Sequence, residues 1–460
     1  MFKHLRRAPG FYRWLITLSA PIILQNLITT SLGFVDTFMV GLLGNAEMAA
    51  VNAANTPIFI IQIVMFGFQS GMTVLVSQYW GKRDMDSINR VMGAALWVIT
   101  AFTTLLASVL FFFPTQVMHF ITPNPLLVDL GEEYIRIVGI SYIFNGISSV
   151  YIGVRRCIEN PQFGMKVMAV SMCLNTALNY VLIFGKLGLD PMGVTGAAAA
   201  TLTSRVVECI IVVICAMRSS RIPLRPALLL RPGRNTWRSF ARYSAPVVCN
   251  ETLWSTGTSM MTVILGHMAN SQDMLAAHAL VGYIDKFSTV VCFGLAAATA
   301  VIVGKEIGRG KSHEEVYSVS CALLFSSVLM GILSGLTMLL LLPTVFIPTL
   351  FPLFSLSEGA SRAAICLVCV LGCLLPNRAF DVSNITGVLR AGGDVRMATV
   401  IDLSPLWFFS IPITAIVALV LRLDVLWVCI AMYCETFLKT PIGLLRFRSK
   451  KWINDVTVME

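Results

Sequence analysis

A carboxylate, Asp36, lies inside the apolar stretch Ser19–Gly41, which is long enough to cross a bilayer. A carboxylate within a membrane span costs about 2.5–3.5 kcal/mol on insertion scales, so such a residue is by default a functional group. The alternative is that Asp36 lies hydrated at the outer membrane edge, because only about five residues separate it from the next polar loop.

A second copy of this stretch occurs at Ser244–Gly266 and aligns with the first without a gap. Pro21 aligns with Pro246, and Asn26 aligns with Glu251. The second copy therefore carries its own carboxylate, moved toward the other end of its helix. This pattern predicts two related halves, each opening with a span that holds a proline and an acid.

Two amides, Asn175 and Asn179, are four residues apart and share one helix face. Together with the Asp36 carboxylate they supply oxygens that a sodium ion could use. They could equally hydrogen-bond a protonated Asp36. A purely structural alternative is that the amides hold two membrane helices together.

The second half is richer in charge within its spans. Arg378 and Asp381 are three residues apart on one predicted helix, which favours a structural ion pair, and the same spacing relates Arg205 and Glu208 in the first half. Six further polar residues are candidates for lining a substrate cavity: Tyr142, Thr201, His278, Asp285, Asn384 and Asp402.

The composition places these residues in a membrane protein. Of 460 residues, 56% are hydrophobic and 13% are charged, whereas soluble domains average about 25% charged residues. The net charge of +10 fits the positive-inside rule better than a nucleic-acid partner. The 12 cysteines lie mostly in apolar runs and predict neither disulfides nor a metal site. The sequence contains no nucleotide loop and no Ser/His/Asp grouping, so we expect no enzymatic activity and no cofactor.

Apolar runs of spanning length predict twelve helices. They fall at 14–39, 49–76, 91–113, 133–154, 166–184, 193–216, 242–267, 276–303, 316–342, 361–388, 398–421 and 424–445. Most of the 34 Lys and Arg residues lie on one side of this layout, which predicts cytoplasmic N- and C-termini in the plasma membrane.

The repeat continues beyond the first helix. VSQYWGKRD at Val76–Asp84 matches VGKEIGRGK at Val303–Lys311, and YIGVRRCIEN at Tyr151–Asn160 matches ITGVLRAGGD at Ile385–Asp394. An even number of helices per copy predicts parallel repeats around a central cleft. The expected divisions are a six-helix lobe at 1–216, a basic cytoplasmic linker at 217–241, a second six-helix lobe at 242–446 and a cytoplasmic tail at 447–460.

The sequence resembles the multidrug and toxic compound extrusion (MATE) family, and in particular its NorM-like members. The motifs that carry the resemblance, in chain order, are VDTFMVGLLG, SQYWGKRD, NYVLIFG, GVLRAGGD and RFRSKKWIN. The resemblance implies a secondary active exporter that alternates between outward-open and inward-open forms. It also implies that inward movement of sodium ions or protons drives the export of amphipathic organic compounds.

The resemblance also implies cation-binding residues. Asp36 matches the family's acid of the first helix, and Asn175 and Asn179 match the polar pair that faces it. Glu251 matches the acid of the seventh helix in NorM-like members, and Asp381 is the candidate for the tenth-helix acid paired with it. Asn179 departs from members that carry an aspartate at this position.

The expected partners are small organic compounds, cationic in character, and membrane lipids, with the protein acting as a monomer. The alternative function is a flippase for lipid-linked precursors or polysaccharides, which should have a more cationic cavity for pyrophosphate. The acids Asp36 and Glu251 favour cationic partners, with Asp36 as the coupled acid.

Overall fold

The computed structural model describes residues 9–354 and 356–458, and these are helical apart from short connections. The helices of the first half are α1 Pro9–Gly41, α2 Asn45–Lys82, α3 Met85–Phe112, α4 Pro114–Ile121, α5 Pro125–Cys157, α6 Pro161–Phe184, α7 Gly193–Met217 and α8 Pro226–Leu230. Those of the second half are α9 Arg234–Gly266, α10 Ser271–Gly308, α11 His313–Leu353, α12 Glu358–Leu389, α13 Val395–Val420 and α14 Val425–Arg448. The last part of α12, Ser383–Leu389, is π-helical, and a turn at Tyr433 and Cys434 interrupts α14.

In the described part of the chain, 11 helices are long and apolar enough to cross a membrane. Helix α9 has 33 residues but is more polar than these 11 helices, because Asn250, Glu251 and several serines and threonines lie along it. Helix α9 contains the second copy of the stretch that α1 contains. Each of the twelve predicted spans falls on one long helix. The structure confirms an all-helical, multi-pass membrane protein.

The chain packs as two compact units. The N-terminal unit is Leu24–Val248, and the C-terminal unit contains the described residues 9–23 and 249–458. The divisions fall inside α1 and α9, shortly after Pro21 and Pro246, which are equivalent positions in the two repeats. The predicted lobe boundaries differ from these divisions, because position 216 lies at the end of α7 and position 242 lies inside α9. They stay a prediction.

Helix α5 is central in the N-terminal unit and packs against α2, α3, α6 and α7. Its start is defined locally, because Pro125 occupies the first turn and the Asn124 side chain accepts a hydrogen bond from the Leu126 amide at 3.1 Å. The basic linker lies against α3, where the Asn89 side chain donates to the Pro223 carbonyl at 3.2 Å. The linker is thus anchored to this unit.

Helix α12 has the corresponding place in the C-terminal unit, where it packs against α10, α11 and α14. Its beginning is capped by Ser357, whose hydroxyl accepts from the Ala360 amide at 3.0 Å. One apolar core of this unit includes Leu18 of α1, Val301 of α10 and, from the tail, the fully buried Trp452. The tail is therefore part of the packed unit.

Candidate functional site

The N-terminal unit brings the first predicted cation site together. Helix α1 carries Asp36 and α6 carries Asn175 and Asn179 one turn apart, as the four-residue spacing predicts. The Asn179 amide donates to Asp36 Oδ1 at 2.6 Å and also to Asn175 Oδ1 at 3.1 Å. Both asparagines are buried, and Asn179 Oδ1 has no hydrogen-bond partner in the described residues. A carboxylate and a free amide oxygen therefore lie side by side.

Helix α7 extends this polar chain. Thr201 Oγ1 accepts from the Asn175 amide at 3.4 Å, so α1, α6 and α7 are linked through consecutive polar contacts. One turn further along α7, Arg205 pairs with Glu208 at 2.8 Å, which confirms the pair predicted from their spacing. Arg205 interacts electrostatically with Asp36 but is not in contact with it. Tyr142 of α5 accepts from the Gln62 amide at 2.6 Å.

This arrangement has the chemistry of a site for a small cation. Asp36 is half-buried and its neighbours offer hard oxygen ligands, which sodium prefers. A proton would bind to the carboxylate itself. Its hydrogen-bond partner is the neutral amide of Asn179, so its charge is not cancelled by direct contact with a lysine or arginine. A cation or a proton would complete the site.

The C-terminal unit contains a different site, a network of acids and cations. Arg390 Nη2 lies 2.8 Å from Glu251 Oε1 and 3.9 Å from Asp402 Oδ2. Lys439 Nζ lies 2.9 Å from Asp402 Oδ1 and 3.4 Å from Glu435 Oε1. Glu251 comes from α9, Asp402 from α13, and Glu435 and Lys439 from α14, whereas Arg390 directly follows the last residue of α12. The network thus connects four helices.

Burial makes each charge in this network depend on its partners. The Arg390 side chain is 1% exposed and that of Lys439 is 7% exposed, so water screens their charges poorly. Asn250 adds an amide that donates to Asp402 Oδ2 at 2.9 Å. Glu251 is thus an acid already held by a fixed cation, unlike Asp36.

Asp381 is also buried, but its contacts differ from those predicted. Its Oδ2 accepts from the Thr440 hydroxyl at 3.0 Å. The predicted ion pair with Arg378 is wrong, because Arg378 donates to both carboxylate oxygens of Asp285 on α10, at 2.5 and 3.1 Å. A bidentate contact to another helix fits the planar guanidinium better than the contact along its own helix.

The structure does not place Asp381 against Glu251, the acid with which the resemblance pairs it. Among the described residues, Glu251 contacts Arg390 and Asn250 instead. His278 is half-buried on α10 and interacts electrostatically with Asp285. Asn384 is fully buried in the π-helical part of α12, and neither of its amide atoms has a partner in the described residues.

Sequence reasoning missed the two buried cations, Arg390 and Lys439. The alignment of the repeats did contain one signal, because Arg390 falls on Arg156 of the first copy. The acid that Arg390 binds, Glu251, aligns with the neutral Asn26. The sequence thus showed that the arginine occurs in both copies and the acid in one copy only. It did not show that the two side chains are in contact.

Helices of membrane-spanning length, an internal repeat and ionisable groups within the spans define a polytopic membrane protein of the transporter type. The family model described as MatE matches residues 21–181 and 246–416, which together make up more than half of the chain. The chain belongs to the MatE family. The two matches begin at Pro21 and Pro246, so they follow the internal repeat.

The chain is similar along its length to curated relatives. It is 24% identical to a probable multidrug resistance protein NorM of Thermotoga maritima, covering 96% of this chain and 94% of the relative. It is 26% identical to a protein of the same name from Bradyrhizobium diazoefficiens, covering 94% and 92%.

Solved structures share the fold. A MOP superfamily transporter from Pyrococcus furiosus matches with a TM-score of 0.86 and 18% identity, over 99% of this chain and 98% of the other. An outward-facing multidrug resistance MATE family transporter matches with a TM-score of 0.85 and 18% identity, over 98% of both chains. At these identities the similarity establishes the architecture alone.

Proposed function

We propose that this protein is a secondary active multidrug exporter. It expels amphipathic organic compounds, cationic in character, by alternating access, and inward movement of sodium ions or protons drives it. Family membership supports transport rather than enzymatic activity, and the multidrug resistance relatives support efflux. The small organic compound and the coupling ion are the expected ligands, and membrane lipids are the expected surroundings of a monomer.

One observation carries the antiport proposal: the contact of Asp36 with Asn179 inside an apolar span. A charged carboxylate within a membrane is costly. The group therefore either takes up a proton and becomes neutral or binds a cation that balances its charge. Either ion changes the charge of the site by one unit. An ion with different affinities for two conformations shifts the balance between them, which is the requirement for coupling.

The C-terminal unit supports assigning the coupling role to Asp36. Glu251 and Asp402 there already contact Arg390 and Lys439, so their charges are largely balanced by the protein. Asp36 has an amide as its partner and a free amide oxygen beside it. The same pairing argues against the flippase alternative, because Arg390 and Lys439 are engaged by carboxylates and offer no excess charge to a pyrophosphate.

The test compares efflux of a fluorescent cationic dye from proteoliposomes, with sodium and proton gradients imposed separately. Asp36→Asn keeps the size of the side chain but removes the ionisable group, and gradient-driven efflux should fall at least tenfold. Glu251→Gln should mainly change the affinity for the dye. The exposed Asp129→Asn is the matched control and should behave as the wild type.

Three outcomes would change the assignment. Wild-type efflux in correctly folded Asp36→Asn would show that this carboxylate is structural or merely hydrated. Normal coupling in Asp36→Asn together with lost coupling in Glu251→Gln would move the coupling role to the C-terminal unit. Loss in both variants would mean that the two sites act as one.

A further inference from the structure

A group of exposed arginines covers the segment that joins the two halves of the sequence. Between Glu208 and Glu251 the chain contains seven arginines and no acid. Arg225 pairs with Asp86 of α3 at 2.5 Å. The other six are exposed and form no ion pair in the described residues: Arg218, Arg221, Arg231, Arg234, Arg238 and Arg242. These six side chains, here called the arginine surface, carry positive charge that no acid of the described chain neutralises.

The backbone under the arginine surface is fixed to the N-terminal unit. Asn89 of α3 is fully buried, and its side chain donates to the Pro223 carbonyl at 3.2 Å and accepts from the Arg225 amide at 3.3 Å. Helix α8 packs closely on α3, because a Cβ on Gly93 would clash with the Leu229 carbonyl. A ligand that binds here therefore does not have to order the backbone, which lowers the entropic cost of binding.

Three members of the arginine surface form a stripe on the first turns of α9. Arg234, Arg238 and Arg242 are four residues apart, so they share one face of the helix. On the buried side of the same turns, Phe240 is 1% exposed and its ring stacks on Phe68 with the centroids 6.3 Å apart. Like charges four residues apart repel each other, and an anion bound along the stripe would remove that repulsion.

The C-terminal unit shows that membrane topology alone does not produce such a surface. On the same predicted side of the membrane, its basic residues are paired with acids: Arg309 and Lys311 with Glu306, Arg446 with Asp394, and Lys450 with Glu314. The positive-inside rule counts lysines and arginines, and acids have little influence on it. It therefore explains basic residues in both units, but not why those of the linker lack acidic partners.

The residue types identify the class of ligand. All seven basic residues are arginines, whose planar guanidinium can bind two oxygens of one phosphate, whereas a lysine binds as a point charge. Leu230 lies between Arg225 and Arg231 and is 65% exposed. Exposed apolar and basic side chains together are typical of segments at a membrane interface, where phosphates lie above the acyl chains.

We propose that the arginine surface binds the phosphate groups of anionic phospholipids in the leaflet on the predicted cytoplasmic side. The stripe on α9 contacts the headgroups, and Leu230 enters the boundary between headgroups and acyl chains. The lipids supply the negative charge that the chain lacks at this place. The inference does not rest on the proposed function, because lipid binding is measured without an ion gradient and without a transported compound.

The experiment measures the affinity of the full-length protein in neutral detergent for fluorescent phosphatidylglycerol. Each arginine near an anionic headgroup layer contributes a factor of about five, so Arg234→Gln/Arg238→Gln should weaken binding at least about tenfold. The matched control is Lys311→Gln/Lys450→Gln, which removes two charges that are already paired with acids. Its affinity should stay within about twofold of the wild type.

Wild-type affinity in the folded arginine variant overturns the inference, and so does an equal loss in the lysine control. Circular dichroism verifies folding. If the arginine variant does not fold, Arg221→Gln/Arg231→Gln, which lies outside α9, replaces it with the same expected loss.

Two competitors test the identity of the ligand. Phosphatidylcholine has no net charge and should bind at least about tenfold more weakly than phosphatidylglycerol; equal binding overturns the inference. Inorganic phosphate should displace the lipid no better than chloride at equal ionic strength. Specific displacement by phosphate would assign the arginine surface to a free anion and overturn the assignment to lipid.

Discussion

Replacing Arg390 by methionine should destabilise the C-terminal unit strongly. The guanidinium is 1% exposed and lies 2.8 Å from Glu251, whose side chain is 17% exposed. Asp402 Oδ2 lies 3.9 Å from Arg390 Nη2, and Asp402 keeps Lys439 as its partner. The substitution therefore leaves mainly Glu251 without a compensating positive charge. Breaking a buried pair by removing one member costs about 3–5 kcal/mol, and the partial exposure of Glu251 favours the lower limit. A loss of about 3 kcal/mol is roughly a hundredfold change in the unfolding equilibrium.

The assay is reversible unfolding in detergent, followed by circular dichroism. Removing both charges in Arg390→Met/Glu251→Gln should restore at least half of the lost stability, because no unpaired anion stays buried. Arg309→Met is the matched control, since Arg309 is 43% exposed and its pair with Glu306 should contribute less than about 1 kcal/mol. A loss below about 1 kcal/mol in Arg390→Met, or a double variant as unstable as the single one, would refute the argument.

Three further predictions concern other parts of the chain. Asn179→Ala removes the amide that contacts Asp36 and should reduce gradient-driven dye efflux about tenfold without loss of expression, measured beside the wild type in proteoliposomes. Trp452→Ala should lower the free energy of unfolding by about 3–5 kcal/mol, because the indole is completely buried; an unchanged unfolding midpoint would contradict its place in the core. Cysteines at the exposed Arg83 and Arg309, in a background without native cysteines, should resist impermeant reagents in intact cells, and rapid labelling would reverse the predicted orientation.

Much of the architecture follows from the sequence, because membrane helices are specified locally. A run of about 20 apolar residues is sufficient to predict a span, whatever its neighbours are. The internal repeat was equally visible, since Pro21 and Pro246 begin two matching stretches. The presence of acids within spans could be predicted for the same reason.

The first site was also largely predictable. Asn175 and Asn179 share a helix face by spacing alone, and the family resemblance placed this pair opposite Asp36, where the structure has it. The same spacing argument confirmed Arg205–Glu208 but was wrong for Arg378 and Asp381. Residues three apart on a helix are within reach of each other, but a partner on another helix can provide better geometry.

Only the tertiary structure decided the composition of the second site. Its two main ion pairs, Glu251 with Arg390 and Asp402 with Lys439, join residues that are far apart in sequence. They form because α9, α12, α13 and α14 pack together. Sequence spacing determines which face of a helix a residue occupies, but not which helix that face meets. For this reason the sequence identified Glu251 and Asp402 as candidate acids, whereas the packing of the helices determined which cations pair with them.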